Sequence, residues 1–147
     1  MEEKQFDTWN DEKKAIELVD TEKIVCKRRQ FWLCKIGENI GSEISKNDPF
    51  VRPVLILNER LRGGLVVAVP LTTKFKEHSK WAYYPIIDGA KFGLNAESYC
   101  ILDQMKIISR KRLIRKLNDM EGPDGEEIPL FDKEQFMKVV KGVHGFI

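Results

Sequence analysis

Apolar residues along this chain come in short dense runs set between turn-forming stretches, with helical spacing at the two ends. Phe31-Trp32-Leu33-Cys34, within residues 29–36, is apolar at consecutive positions, which predicts a strand buried on both faces and ended by Gly37-Glu38-Asn39. Val54-Leu55-Ile56-Leu57, within residues 52–57, and Leu65 to Val69 repeat that character. Between them Gly63-Gly64 supplies the positive φ of a hairpin connection, so these two strands are predicted to pair antiparallel.

Residues 81–86 read as a further strand, in which Pro85 argues against a central position. Residues 97–102 and 104–108 are either one strand bent near Asp103 or two short ones. Ser109 predicts the cap of a helix over residues 110–117. Asp132 with Gln135 opens a last helix that carries Phe136, Val139 and Val140 on one side. At the other end, Thr8 with Asp11 and the spacing of Ala15, Ile16, Leu18 and Val19 predict an amphipathic helix over about residues 9–20. Residues 39–50 read as a long mobile loop of the kind that carries function, and residues 122–125 as a shorter one. The sum is an α+β, mainly β, domain built on a small curved barrel.

Composition narrows the function classes. A chain of 147 residues with 42% hydrophobic content suits one domain that buries roughly 70% of its unfolded surface. No apolar run approaches the ~20 residues of a membrane span, and Met1-Glu2-Glu3-Lys4 lacks a secretory pattern, so a cytoplasmic protein without a membrane partner is expected. Cys26, Cys34 and Cys100 show no Cys-x-x-Cys spacing and read as buried reduced thiols. With only His78 and His144 besides, neither a metal nor another cofactor is expected. The net charge of +2 excludes a general polycation. Basic residues gather over 106–116 and acidic ones over 121–134, and the basic run reads as a solvated helix face rather than a nucleic-acid stripe.

Arg52 and the Thr72-Thr73 pair stand at matching edges of two neighbouring apolar strands. A permanent cation with a rigid fork of donors, beside a small hydroxyl, suits a phosphate.

Six pieces occur in one order: Gln30-Phe31-Trp32, Ile40-Gly41-Ser42-Glu43, Arg52-Pro53-Val54-Leu55-Ile56-Leu57, Pro70-Leu71-Thr72-Thr73-Lys74, Leu102-Asp103-Gln104-Met105 and Arg110-Lys111-Arg112-Leu113. In them the chain resembles the MazF/PemK family of type II toxin-antitoxin toxins over residues 28–117, with a weaker match in the last helix. The resemblance implies an SH3-like curved barrel of the MazF/PemK/CcdB type over residues 28–147, including a C-terminal helix, after a helical extension over residues 1–27. It further implies a homodimer and a cognate antitoxin protein as partner. The activity implied is sequence-selective, metal-independent cleavage of single-stranded RNA through its 2′-hydroxyl.

The family's cleavage residues match Arg52 and Thr72, and in some members Asp103; those members carry a basic residue and a loop histidine where this chain has Ile101 and Ser42. Arg52 would stabilise phosphorane charge, Thr72 orient the phosphate and Asp103 accept the 2′ proton. Otherwise Arg52 is an ion-pair partner, Thr72 bonds its own turn and Asp103 forms one. Thr73, Lys74, Phe75 and Lys76 suit phosphate contact with base stacking, although Phe75 equally suits a loop anchor. Ser42, Glu43 and Asn47 are candidates for base edges; Gln104 suits a base edge or a core turn, and His78 an acid or an ordinary surface residue. The competing functions are a non-catalytic RNA- or protein-binding module and a topoisomerase poison on the same fold. In the extension, a face of Ile16, Leu18 and Val19 is expected to cover the barrel and modulate access to Arg52.

Overall fold

A computed structural model describes residues 3–46, 50–117 and 128–147 of the protein. Seven strands, β1 (Phe31–Lys35), β2 (Val51–Asn58), β3 (Leu65–Thr72), β4 (Tyr83–Pro85), β5 (Tyr99–Ile101), β6 (Lys106–Ser109) and β7 (Leu113–Lys116), lie between helices α1 (Phe6–Glu17) and α2 (Lys133–His144). They form an antiparallel sheet in the order β4-β5-β3-β2-β1-β7, with β6 also paired to β3. Among the described residues β4 and β7 end the ladder without pairing to each other, so the curved sheet is not closed.

Strand β3 is the hinge of this curvature. Its first half, from Leu65 to Ala68, pairs with β6, and its end, Leu71 and Thr72, pairs with β5. The continuous apolar runs seen in β1, β2 and β3 are explained by cores on both faces of the sheet. On one face Phe31, Leu55, Val69, Leu71 and Cys100 pack under Phe136, Val139 and Val143 of α2. On the other, Trp32, Cys34, Val54, Ile56, Val66 and Ala68 pack with Ile108 and Leu113. Each fully buried side chain of this size contributes about 1.5–3 kcal/mol by burial.

The hairpin between β2 and β3 turns at Gly63 and Gly64, at φ 68° and 72°. Pro85 sits on the edge strand β4, which begins only at Tyr83 because short helical turns take up residues 77–82. Residues 97–108 form two strands, separated by a turn over Leu102–Gln104. Asp132 caps α2 through the Gln135 amide at 2.9 Å. All three cysteines are buried and free.

Two expected elements are corrected. Ser109 does cap a turn, accepting from the Lys111 amide, but the turn lasts three residues and Leu113–Lys116 is a strand on β1 rather than a helix. Burial of Leu113 against the β1 side outweighs helix propensity here. The basic run is correspondingly dispersed: Arg110 donates to the Glu59 carbonyl, Arg112 to that of Lys35 and Lys111 to that of Glu17. Helix α1 begins at Phe6, so Thr8 and Asp11 lie inside it, and no side chain caps it at Gln5. Its one buried residue is Trp9, whereas Leu18 and Val19 lie beyond its end and are exposed. A single indole seated over a glycine makes the contact that the aliphatic spacing had suggested for another face.

Candidate functional site

The register Val54 opposite Pro70, carried two residues further, puts Arg52 and Thr72 at one level of β2 and β3. Side chains alternate along strands, so both leave the sheet on the same face. Arg52 donates through Nη1 to the Leu71 carbonyl at 3.1 Å and through Nη2 to the Ser45 carbonyl at 3.2 Å. These bonds fix the plane of the guanidinium and leave a second N–H on each terminal nitrogen. Its Nε is buried and has no partner among the described residues. Burial pulls the Arg52 pKa down from its ordinary value, yet a guanidinium stays charged at neutral pH.

Arg52, Thr72 and Thr73 line one cleft of about 160 Å³ together with Lys46, Val51, Pro53, Leu71 and Ser98. None of these is acidic, and two are cationic. The volume is below the 300–1,000 Å³ typical of small-molecule pockets, which matches one phosphate group rather than a whole nucleotide. Thr72 Oγ1 accepts from the Lys74 amide at 3.1 Å. That bond engages an oxygen lone pair and leaves the hydroxyl hydrogen to donate.

Beside the cleft lies an aromatic surface. Tyr99 stands directly opposite Thr72 on β5. Phe75 stacks on Tyr99 with ring centroids 5.2 Å apart, and Tyr83 meets Phe75 edge-on at 5.7 Å. Phe75 is nevertheless 40% exposed, so it is anchored and still offers a ring to solvent.

The structure does not bring Asp103 to this cleft. It sits in the turn that follows β5, between Ile101 and the start of β6 at Lys106. It lines a separate cavity of about 490 Å³ with Glu43, Asn39, Gln104, Lys106 and Arg112. Desolvation lowers the Lys106 pKa there, opposed by the Glu43 carboxylate. Gln104 is engaged by the loop: its Oε1 accepts from the Ile44 amide and its Nε2 donates to the Ser42 carbonyl, each at 3.2 Å. Lys74, Lys76 and His78 are exposed and line neither cavity. Asn47 lies outside the described residues, as do residues 122–125 and most of the acidic stretch.

Sequence reasoning missed Lys46, Ser98, Tyr83 and Tyr99. Ser98 and Tyr99 come beside Thr72, and Tyr83 beside Phe75 and Tyr99, only because β5 pairs with the end of β3 and with β4, contacts with no local signal in the chain.

The family model described as PemK-like, MazF-like toxin of type II toxin-antitoxin system matches residues 27–129. The chain belongs to that family. A search of curated proteins found no match. Among solved structures, the toxin is similar to an endoribonuclease in complex with its cognate antitoxin from a mycobacterial species, at 16% identity and a TM-score of 0.56, over 83% of this chain and 94% of that one. It is also similar to an endoribonuclease from a mycobacterial species at 15% identity and a TM-score of 0.52, over 84% of this chain and 93% of the other. At such identities the likeness is one of fold. The family match spans β1 to β7, and leaves α1 outside it.

Proposed function

We propose that this toxin is a sequence-selective, metal-independent endoribonuclease that cuts single-stranded RNA, held in check by a protein antitoxin. The observation that carries the reading is the convergence of the Arg52 guanidinium and the Thr72 hydroxyl on one small, cationic cleft. The similar mycobacterial endoribonucleases support it, and the antitoxin bound to one of them supports the partner.

In the proposed reaction the ribose 2′-hydroxyl gives up its proton to solvent water, its oxygen attacks the adjacent phosphorus, and the bond to the 5′-oxygen breaks as that oxygen takes a proton from water. The products are a 2′,3′-cyclic phosphate and a 5′-hydroxyl. Arg52 meets the charge that develops on the non-bridging oxygens, a contribution of about 10²- to 10³-fold for one preorganised donor. Thr72 donates its hydroxyl hydrogen to the same phosphate, with the Lys74 amide holding the oxygen in place. Neither group is a base at neutral pH, so their roles are charge stabilisation and orientation rather than proton transfer. Asp103, which lines the neighbouring cavity rather than this cleft, is assigned with Glu43 to contacts there. Phe75 and Tyr99 stack a flanking base, with Lys74 and Lys76 on the backbone phosphates. The working form is a homodimer.

The test is incubation of the purified toxin with a long RNA in EDTA, with mapping of the new ends. Discrete cuts that leave 5′-hydroxyl ends, lost in both Arg52→Ala and Thr72→Ala, support the enzyme. RNA bound but uncut by the wild type would instead identify a binding module.

A further inference from the structure

Helix α1 lies outside the segment matched by the family model, yet it is fastened to the loop that holds Arg52. Trp9 is 3% exposed and occupies the space beside Gly37: a Cβ there would come within 1.9 Å of the indole. The indole packs on the Phe50 ring at 5.1 Å and carries the Arg112 guanidinium above it at 5.6 Å. Phe50 takes a left-handed backbone conformation, at φ 65°, and its carbonyl accepts from the amides of Ile36 and Gly37. Lys4 adds a second tie, donating to the carbonyls of Asn39 and Gly41. Ion pairs of Glu12 with Lys35 and of Glu17 with Lys111 secure the helix along its length.

From this anchored stretch, hydrogen bonds run to the cleft. The Lys46 amide donates to the Gly37 carbonyl at 2.7 Å, and the Asn39 amide donates to Ser45 Oγ at 2.8 Å. The Asn39 side chain donates to the Ile44 carbonyl at 2.8 Å. The position of Ser45 is thereby set by Gly37 and Asn39, the two residues that Trp9 and Lys4 hold. The Ser45 carbonyl is one of the two acceptors that orient Arg52, and Lys46 lines the cleft beside it.

We propose that α1 is a built-in brace of the active site, in which Trp9 and Lys4 are positioning residues that aim Arg52 through the loop of residues 37–46. The proposal rests on the nuclease reading. It replaces the picture of a helix that shields Arg52: α1 touches the loop behind the guanidinium rather than the mouth of the cleft. Loss of the indole frees Gly37, the loop shifts Ser45, and Arg52 keeps only its bond to Leu71. Misplacement of a catalytic group by about 1 Å costs up to ~10²-fold in rate.

The experiment uses the full chain and compares Trp9→Ala, Trp9→Phe and the milder Lys4→Gln with the wild type. For each, kcat and KM for a defined RNA, thermal unfolding, and hydrogen exchange at the Asn39 and Lys46 amides are measured. Trp9→Ala is expected to stay folded at 25 °C and to lose ~10-fold or more in kcat, with KM within about twofold, while both amides exchange faster. Trp9→Phe recovers part of the loss, and Lys4→Gln shows the same changes on a smaller scale. In an Arg52→Lys background the Trp9→Ala loss largely disappears, since the aim being lost is that of Arg52. Wild-type kcat in a folded Trp9→Ala protein, or an undiminished loss in the Arg52→Lys background, overturns the brace. If Trp9→Ala does not fold, wild-type kcat and exchange in Lys4→Gln overturn it. A wild type that cuts no RNA defeats the nuclease reading instead, and faster exchange in the Trp9 and Lys4 variants then still reports the brace on the loop.

Discussion

The Arg52 guanidinium is hydrogen-bonded to the carbonyl of Leu71, the residue before Thr72, at 3.1 Å. Cation and hydroxyl are therefore held on one frame, and their separation does not depend on a flexible side chain finding its place. Arg52→Lys keeps the charge and loses the two-carbonyl grip, because an ammonium is a point donor on a flexible stem. Cleavage by Arg52→Lys is expected to fall nearly as far as that by Arg52→Ala, about 10²- to 10³-fold, in single-turnover assays at saturating RNA. A lysine variant near wild-type rate would show that charge alone is sufficient.

At Thr72 the hydroxyl, not the methyl, is assigned the work. Thr72→Ser retains both the bond from the Lys74 amide and the free hydrogen, so its rate should stay within a fewfold of wild type. Thr72→Val is nearly the same size and removes both, and should lose at least tenfold in kcat. Equal rates in the two variants would return Thr72 to a purely structural role in its turn.

The strands and the chemistry of the cleft were legible to different degrees for physical reasons. Phe31 to Cys34 and Val54 to Leu57 bury on both faces, so their density announced strands, and Gly63-Gly64 announced the hairpin that aligns Arg52 with Thr72. Residues 113–116 were misread because Ser109 is a genuine cap whose turn stops after three residues, a choice made by pairing with β1. Trp9 was overlooked because one large side chain outweighs several periodic aliphatic ones, and its partner Gly37 lies 28 residues away. Asp103 shares a motif with Gln104, yet the turn that contains both faces another cavity, which only the β3 to β5 register reveals.

The aromatic surface next to Thr72 should contribute to binding more than to chemistry. Stacking of one base on an aromatic side chain is worth about 1–3 kcal/mol, or roughly 5- to 150-fold in affinity. Phe75→Ala and Tyr99→Ala should weaken binding of a 2′-O-methyl RNA by amounts in that range, and Tyr99→Phe, which keeps the ring, by much less. Unchanged affinity in Phe75→Ala, measured by fluorescence anisotropy, would leave Phe75 as a loop anchor only.

Gly37 has two reasons to be glycine: φ is +78°, and the Trp9 indole fills the space of a Cβ. Gly37→Ala thus both strains the backbone and expels the indole. A loss of about 1–3 kcal/mol in urea unfolding is expected, on the scale of overpacking a tight core. Gly41→Ala, at a similar positive φ of +60° but with open space around it, separates the two causes and should cost less.

Cys34 pairs with Arg52 across β1 and β2 and is completely buried. Burial pushes its thiol from the ordinary 9.0 up to about 12. The unfolded chain releases this proton near pH 9.0 and the folded one only near 12, so the folded state holds the extra proton between those values. Stability is thus unaffected by this group below pH 9.0 and declines as pH rises toward 12, by about 1.4 kcal/mol per pH unit within the window. Lysines and tyrosines titrate in the same range, so the measurement is a difference. The stability advantage of wild type over Cys34→Ala, from urea unfolding at pH 8 and pH 10.5, should shrink by about 2 kcal/mol. A constant difference would mean that the thiol is reached by water in the folded protein, and rapid alkylation of Cys34 at pH 8 would then accompany it.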